Sequence, residues 1–365
     1  MIIPVHSEYS DYDIILENGA LGYIGEICDL NRNVLVVTDD GVPFEYSEAV
    51  IKSSKNPVSV VLPHGEKTKN IDSLQILLKT MLDSGFSRGD CVVAVGGGVI
   101  GDLSGFAASL YMRGIDFYNI PTTLLSEVDS SIGGKTAIDF GGVKNSVGSF
   151  YQPKKVIIDP ETLKTLDSRQ VNAGLAESIK MALTSDAELF SLIENSSDIS
   201  YDLPEIIRRS LMIKKGVVER DPHEKGERRV LNFGHTVGHA IESLADGTLL
   251  HGECVAVGLI PMCSPQLCDR ITKVLIKYSL PYSTEFSSGE MLPLIMHDKK
   301  KSGDSITAVL VDTIGTYRFY PLTKDKPKAL LTLGNKTILD RLMDKLDEIK
   351  RIDDVYIVTN HRFAG

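Results

Sequence analysis

The chain has 365 residues, of which 42% are hydrophobic and 24% are charged, and its mean hydropathy is +0.00. These values exclude wholesale disorder, and the length predicts about two domains. The net charge of −10, from 39 basic and 49 acidic residues, argues against a nucleic-acid coat or binding to an anionic membrane surface. No apolar run approaches the roughly 18–20 residues that span a bilayer.

The cysteines and the N-terminal segment both indicate a cytosolic protein. No CxxC pair occurs among the five cysteines, so we expect reduced thiols rather than a disulfide framework or a thiolate zinc site. Residues 1–19 lack a basic region and a continuous apolar core, and we interpret them as an opening strand rather than a signal peptide.

Unbroken apolar runs alternate with helical spacing over the first 160 residues. The runs lie at 34–40, 58–63, 91–95, 117–120 and 156–159. Strands that are buried on both faces have this pattern, so the runs predict a parallel sheet covered by helices. Helical spacing at 71–82, ended by Gly85, predicts one of these helices.

After about residue 160 helical patterns dominate, as at 174–183 and 203–218, and 306–311 is a short strand candidate. This change predicts a second, mostly helical domain that begins near Asp159-Pro160. From residue 320 the pattern changes again to strand (329–333), turn (334–335), helix (337–349) and strand (355–358). One such βαβ unit is too small to bury its own core.

A glycine-rich turn, GGGVIGD at 96–102, joins a predicted strand to a predicted helix at 103–110. Glycines allow a pyrophosphate to approach the backbone, and a helix N-terminus supplies N–H donors. The turn is not GxGxxG, so a tight turn without a ligand is the alternative. Asp39, at the end of an earlier strand, is a candidate for binding a ribose hydroxyl.

Three of the eight histidines lie close together in NFGHTVGHAIE (232–242) and HGE (251–253). His235 and His239 share a helix face, and with His251 they form a candidate ligand set for a divalent metal. Hydrogen-bonded core histidines are the alternative. Glu177, in GLAESIK, lies on an otherwise apolar helix face and needs either a metal or Lys180 as a partner.

Taken together, the stretches 96–154, 174–180, 232–242 and 250–253 resemble 3-dehydroquinate synthases, with likeness from about residue 1 to about residue 319. The resemblance implies an α/β protein with a Rossmann-like NAD-binding domain (1–159) and a mostly helical metal- and substrate-binding domain (160–319). It places the active site in the cleft between them. It also implies a homodimer that takes a small sugar phosphate. With the charge and the cysteines, we expect a cytoplasmic protein that binds neither nucleic acid nor membrane.

The resemblance also assigns residues. The positions that match NAD-binding residues are Asp39, Glu66, Lys69, Gly97, Gly98, Val99, Asp102, Thr122, Thr123, Lys144, Thr162, Leu163, Lys164 and Thr165. Those that match substrate or catalytic residues are Asp129, Lys135, Asn145, Lys180, Lys214, Glu224, Arg228, Asn232, His239 and Lys299, with Arg113 lent across a dimer interface. The implied metal ligands are Glu177, His235 and His251, usually for zinc or cobalt, so His239 becomes a substrate contact.

The implied reaction is the cyclisation of 3-deoxy-D-arabino-heptulosonate 7-phosphate to 3-dehydroquinate, with phosphate release, in the shikimate pathway. Lys214 and Arg228 suit a substrate carboxylate, which favours this reaction over another sugar phosphate cyclase, such as 2-deoxy-scyllo-inosose synthase or aminodehydroquinate synthase. A polyol dehydrogenase has no use for so many anion-binding residues. A non-catalytic fusion protein is the alternative from another class, although every matched catalytic position is filled.

Residues 320–365 depart from this resemblance and resemble a fragment of a sugar-phosphate nucleotidyltransferase, with Lys328 at a phosphate-contacting position. The glycine-rich nucleotide loop that precedes this stretch in those enzymes is absent, so we predict no nucleotidyltransferase activity. A fusion remnant, a truncation and a substitute for the family's closing helix are all open interpretations.

Overall fold

The computed structural model describes residues 1–8, 10–301, 306–322, 332–333 and 336–337. Their contacts group them into two compact units, one of Met1–Met181 with Glu188–Arg228, the other of Ala182–Ala187 with the described residues from Arg229 onward. These units are defined by contacts and do not test the predicted domain boundaries at 159/160 and 319/320, which stay predictions.

The first unit is built on a seven-stranded sheet and a hairpin. Its strands are β1 (Ile2–Val5), β2 (Tyr12–Leu16), β3 (Asn33–Asp39), β4 (Asn56–Leu62), β5 (Cys91–Gly96), β6 (Asp116–Pro121), β7 (Lys135–Phe140), β8 (Val143–Phe150) and β9 (Lys155–Ile158). The sheet order is β1-β2-β9-β6-β5-β3-β4. Every neighbouring pair is parallel except β1 with β2. The predicted parallel sheet is therefore confirmed.

Seven helices accompany these strands along the chain: α1 (Ile24–Ile27), α2 (Phe44–Ser53), α3 (Ile71–Asp83), α4 (Gly98–Leu110), α5 (Ser168–Ser185), α6 (Ala187–Asn195) and α7 (Ile199–Arg220). Strand β5 is buried along its whole length, because its alternate residues pack into two different hydrophobic clusters. Val92 and Ala94 join a cluster with α3 and α4, whereas Val93 and Val95 pack with side chains near α1 and α2. Helix α4 begins five residues before the predicted start at Leu103.

The hairpin of β7 and β8 is an element that the sequence analysis missed, since it treated this stretch as loops rich in small residues. The strands pair antiparallel around Gly141 and Gly142, whose φ angles of 60° and 77° favour glycine. A two-glycine turn between alternating apolar residues is a hairpin signal. The hairpin matters for the site because β7 begins at Lys135 and β8 contains Lys144 and Asn145.

The second unit contains four helices, α8 (His235–Ala245), α9 (His251–Leu259), α10 (Pro265–Lys277) and α11 (Ser288–Lys301), and the paired strands β10 (Ile306–Leu310) and β11 (Arg318–Leu322). Helices α8 and α9 approach very closely, since a Cβ on Gly258 would lie 2.0 Å from the Gly234 carbonyl oxygen. Among the described residues, no helix combines the length and the apolarity needed to cross a bilayer.

In the tail, β12 (Thr332–Leu333) pairs with β13 (Lys336–Thr337). Thr337 is therefore in a strand and not at the start of the predicted helix, because its backbone pairs with Thr332. The rest of the predicted βαβ unit lies outside the described residues.

Candidate active site

The carboxyl ends of five parallel strands carry most of the residues predicted to bind NAD. Asp39 is the last residue of β3, and the others follow the strands: Glu66 and Lys69 after β4; Gly97, Gly98, Val99 and Asp102 after β5; Thr122 and Thr123 after β6; and Thr162, Leu163, Lys164 and Thr165 after β9. Lys144 lies on the hairpin strand β8. Ligands of open α/β sheets bind outside the carboxyl ends of the strands. Residues from five separate sequence segments are thus collected at the edge where a dinucleotide would bind.

The glycine-rich turn at this edge is shaped by close packing. Gly97 caps α4, which begins at Gly98. A Cβ on Gly98 would lie 2.9 Å from Ser130 Oγ, and one on Gly97 would lie 3.2 Å from Thr123 Cγ2. Glycine therefore lets the backbone at the start of α4 approach its neighbours. The N-terminus of such a helix presents N–H donors and a partial positive charge that suit a phosphate.

Lys69, itself a predicted NAD residue, connects a second one, Asp102, with the predicted substrate residue Asn145. Its Nζ lies 2.5 Å from Asp102 Oδ2 and 2.5 Å from Asn145 Oδ1. The Lys69 side chain is buried. Burial raises the pKa of Asp102, and the charge of Lys69 opposes this shift. The lysine thereby ties the strand edge to the hairpin.

Asp129 and Lys214 form an ion pair in the first unit. Asp129 lies in the π-helical turn Ser126–Ser130, and Lys214 lies on α7. Lys214 Nζ donates to the Asp129 backbone oxygen at 2.5 Å and to its Oδ1 at 2.7 Å. Burial lowers the pKa of Lys214. Burial also acts to raise the pKa of Asp129, but the charges of Lys214 and Lys180 outweigh it and lower that pKa.

Arg228 is a second buried cation, with 3% of its surface exposed. Its guanidinium donates to the carbonyl oxygens of Pro222 at 2.7 Å and of Gly133 at 3.4 Å. Gly133 has a φ of 96° and a Cβ there would lie 2.5 Å from Arg228 Nη2, so only glycine fits. Burial lowers the pKa of Arg228. Lys214 and Arg228 therefore both place cationic groups inside the first unit.

Two further ion pairs join predicted site residues. Glu177 and Lys180 are one turn apart on α5, are both almost completely buried and pair with each other. Of the two partners that the sequence allowed for Glu177, the lysine is the one that this unit supplies. Lys135, at the start of β7, pairs with Glu224.

Left-handed backbone occurs at three of the predicted site residues. Arg113, Asn145 and Glu224 have φ angles of 70°, 52° and 57°. Residues other than glycine rarely adopt such angles, and those that do cluster at functional sites. Backbone strain thus coincides with positions selected independently by family resemblance.

Three histidines lie together in the second unit. His235 begins α8 and His251 begins α9. Their ring centroids are 5.3 Å apart, and the His239 ring lies 5.1 Å from that of His235 and 5.9 Å from that of His251. Asn232 precedes this cluster. Lys299 lies within α11, although its side chain is outside the described part of the chain.

Hydrogen bonds at Nδ1 indicate the tautomer of two of these rings. His235 Nδ1 lies 3.1 Å from the Phe233 carbonyl oxygen, and His251 Nδ1 lies 3.1 Å from Glu242 Oε2. A carbonyl and a carboxylate only accept, so each Nδ1 must carry the hydrogen and each neutral ring then has its lone pair on Nε2. Both rings thus have the tautomer that binds a metal through Nε2.

Glu242 is a residue that the sequence analysis missed, although it lies within the quoted motif. With His239 and His251 it offers ligand atoms that all lie within 4.8 Å of one another. Its spacing of three residues from His239 places both side chains on one helix face, which is the signal that was available. Its approach to His251 depends on the packing of α8 on α9.

Comparison with known proteins places these features in a family. Models of the 3-dehydroquinate synthase N-terminal and C-terminal regions match residues 59–173 and 174–301. The 3-dehydroquinate synthase of Latilactobacillus sakei subsp. sakei (strain 23K) is 41% identical over 340 residues, which cover 88% of this chain and 96% of that protein. That of Enterococcus faecalis (strain ATCC 47077 / OG1RF) is 40% identical over 350 residues, which cover 90% and 97%.

Solved structures share the fold. The 2-epi-5-epi-valiolone synthase of Streptomyces hygroscopicus subsp. jinggangensis 5008, with NAD+ and Zn2+ bound, has a TM-score of 0.81 at 26% identity and covers 95% of this chain and 99% of that one. A 2-deoxy-scyllo-inosose synthase, complexed with carbaglucose-6-phosphate, NAD+ and Co2+, has a TM-score of 0.79 at 24% identity, with coverage of 89% and 97%. The second likeness concerns the fold alone.

These findings confirm the predicted α/β fold class and its two-part layout. They also confirm the predicted function, 3-dehydroquinate synthase, and the predicted enzyme class, a carbon–oxygen lyase that eliminates phosphate. With about 40% identity over nearly the whole length of such relatives, the chain belongs to the 3-dehydroquinate synthase family.

Proposed function

We propose that this chain uses NAD and one divalent metal ion, zinc or cobalt, to cyclise 3-deoxy-D-arabino-heptulosonate 7-phosphate to 3-dehydroquinate. The observation that carries the cofactor assignment is the collection of the NAD-matching segments at the carboxyl ends of β3, β4, β5, β6 and β9. The bound NAD+ and Zn2+ of the valiolone synthase support the same cofactor pair. We propose the cytoplasm as the location, in keeping with a small-molecule biosynthetic reaction.

We propose Glu177, His235 and His251 as the metal ligands. Two neutral imidazoles with a carboxylate suit zinc or cobalt, and the Nδ1 hydrogen bonds of both histidines are the usual arrangement of metal-binding rings. Glu177 is buried and ionisable, and a buried carboxylate requires a cation. In this proposal Lys180 shares Glu177 with the metal.

When bound, NAD supplies a reversible hydride acceptor and the metal supplies a Lewis acid. The chain supplies binding and orientation. Lys214 and Arg228, both buried cations, would hold the substrate carboxylate, with Asp129 keeping Lys214 charged. Five further positions, Lys135, Asn145, Asn232, His239 and Arg113, would hold the phosphate that leaves. Because the hydride acceptor would be reversible, the reaction would involve no net oxidation.

We propose a homodimer in which Arg113 serves the site of a second copy. Arg113 is exposed and has left-handed backbone. Leu110 and Met112 beside it expose 46% and 43% of their surfaces, as an interface would require. Mixing inactive R113A protein with inactive K214M protein should restore activity, because one site of the mixed dimer then has both residues. A fully active monomer would refute this proposal.

The substrate test compares phosphate release from the heptulosonate 7-phosphate and from glucose 6-phosphate, each with NAD and Zn2+. We expect release from the first only. Release from glucose 6-phosphate alone would instead indicate a 2-deoxy-scyllo-inosose synthase. His235→Ala and His251→Ala should each abolish the reaction together with metal binding. Undiminished turnover by protein stripped of metal and kept in chelator would refute the metal assignment.

A further inference from the structure

We propose that Glu242 is a positioning residue that holds His251 in the orientation and tautomer required for metal binding, an inference that rests on the proposed function because it presumes a metal at His251. His251 Nδ1 and Glu242 Oε2 are 3.1 Å apart. The Glu242 side chain is 16% exposed and that of His251 is 30% exposed. The contact is therefore partly withdrawn from solvent, where a carboxylate holds an imidazole more firmly than at a free surface.

The backbone around this pair is fixed by close packing. A Cβ on Gly258 of α9 would overlap the Gly234 carbonyl oxygen at 2.0 Å, and one on Gly238 of α8 would lie 3.1 Å from the Cys254 carbonyl oxygen. The start of α9 is also capped, since Glu253 Oε2 accepts from the Leu250 N–H at 2.7 Å. The packing of α9 on α8 thus fixes where the His251 backbone lies relative to α8.

The two proposed histidine ligands differ in the charge of their partners. His235 donates to a neutral carbonyl, whereas His251 faces a carboxylate. An anionic partner makes the imidazole a more basic ligand and fixes its ring, and loss of such a partner weakens metal affinity by about 10–100-fold. Glu242 would therefore strengthen the bond at His251 without touching the metal.

Direct ligation by Glu242 is the competing arrangement, because its carboxylate, His239 and His251 can also bring three ligand atoms within 4.8 Å. In that arrangement a Glu242 oxygen would itself be a ligand, whereas in the proposed one Glu242 only accepts from His251 Nδ1. The two arrangements predict different metal spectra, so one experiment separates them.

The experiment measures Co2+ affinity by chelator competition, and the visible absorption of bound Co2+, for the full chain and the variants E242A and E242Q. We expect E242A to weaken binding by about 10–100-fold with the absorption bands unchanged, since the ligand set is the same. E242Q keeps an acceptor without the charge and should fall between E242A and the parent. Ser243→Ala is the matched control, because its hydroxyl donates to the His239 carbonyl instead and its loss should leave affinity unchanged.

Each outcome is decisive. Unchanged affinity in both Glu242 variants overturns the inference, and altered Co2+ bands in them show direct ligation and also overturn it. If E242A fails to fold, as judged by circular dichroism, E242Q carries the decision. His235→Ala separates the two proposals: if the parent binds no metal, or binds it as well as His235→Ala does, the proposed metal site itself fails.

Discussion

Replacing Lys214 with methionine should destabilise the first unit even in the absence of substrate. Methionine keeps most of the apolar stem but removes the ammonium that bonds to the carbonyl and the carboxylate of Asp129. Removing one partner of a fully buried ion pair costs about 3–5 kcal/mol. Here the Lys214 side chain is 7% exposed but that of Asp129 is 25% exposed. Water therefore still reaches the orphaned carboxylate, and we expect a loss of about 2–3 kcal/mol.

The assay is urea unfolding of K214M, D129N and the double variant, which together form a double-mutant cycle. The double variant leaves no orphaned charge, so the coupling energy should be about 1.5–3 kcal/mol. Lys79→Met is the matched control, since its ion pair with Asp83 is exposed and its loss should change stability by no more than about 0.5 kcal/mol. Additive effects of K214M and D129N, or an equal effect of Lys79→Met, would refute the reasoning.

The same pair predicts a pH dependence. The folded pKa of Asp129 lies below its ordinary value of 3.8, because the nearby lysine charges outweigh burial. The stabilisation from this group is therefore present above about pH 4 and is lost as the pH falls through the folded pKa. K214M should flatten this acid limb of the stability profile. An acid limb identical to that of the parent would contradict the assignment of the shift to Lys214.

Two further predictions concern buried positions. Glu127 is fully buried, and burial raises its pKa although a hydrogen bond from Thr162 opposes the shift. The stabilisation from the protonated Glu127 is therefore present below pH 4.5 and is lost as the pH rises through the folded pKa. Replacing Glu127 with glutamine (E127Q) should raise the melting temperature at pH 8 but not at pH 4. Parallel melting profiles would contradict this. Gly258→Ala should lower the free energy of unfolding by about 3 kcal/mol through overpacking, because its Cβ would lie 2.0 Å from the Gly234 carbonyl oxygen. Gly22→Ala is the control and should cost little, since there is open space at its Cβ. Equal melting temperatures of the two variants would refute the clash.

The fold could be predicted from the sequence where a run of apolar residues shows how a single strand is buried. Within the runs at 34–40 and 91–95, residues 34–37 and 91–95 have no polar interruption, the pattern of a strand with both faces covered, and the runs became β3 and β5. The hairpin β7–β8 was missed because its many small residues gave a weak apolar alternation, and its stability depends on packing against α4 and its neighbours.

Family resemblance selected the candidate residues, but their partners came from the tertiary structure. Lys214 and Asp129 are 85 residues apart, and His251 and Glu242 are 9 apart on different helices. Periodicity along a helix specifies which face is buried, not which side chain from another segment will meet it. Protonation is decided at the same level, since the pKa of Asp102 or Lys214 follows from desolvation by neighbours that only folding assembles.

The apolar runs of this chain by themselves determined that it folds with a sheet core, and its motifs determined the family and the candidate residues. Only the tertiary structure decided that the cations Lys214 and Arg228 are buried in a chain whose net charge is −10. The physical reason is that a charge is tolerated inside a protein only when carboxylates or carbonyls from other segments surround it, and those segments meet only in the folded chain.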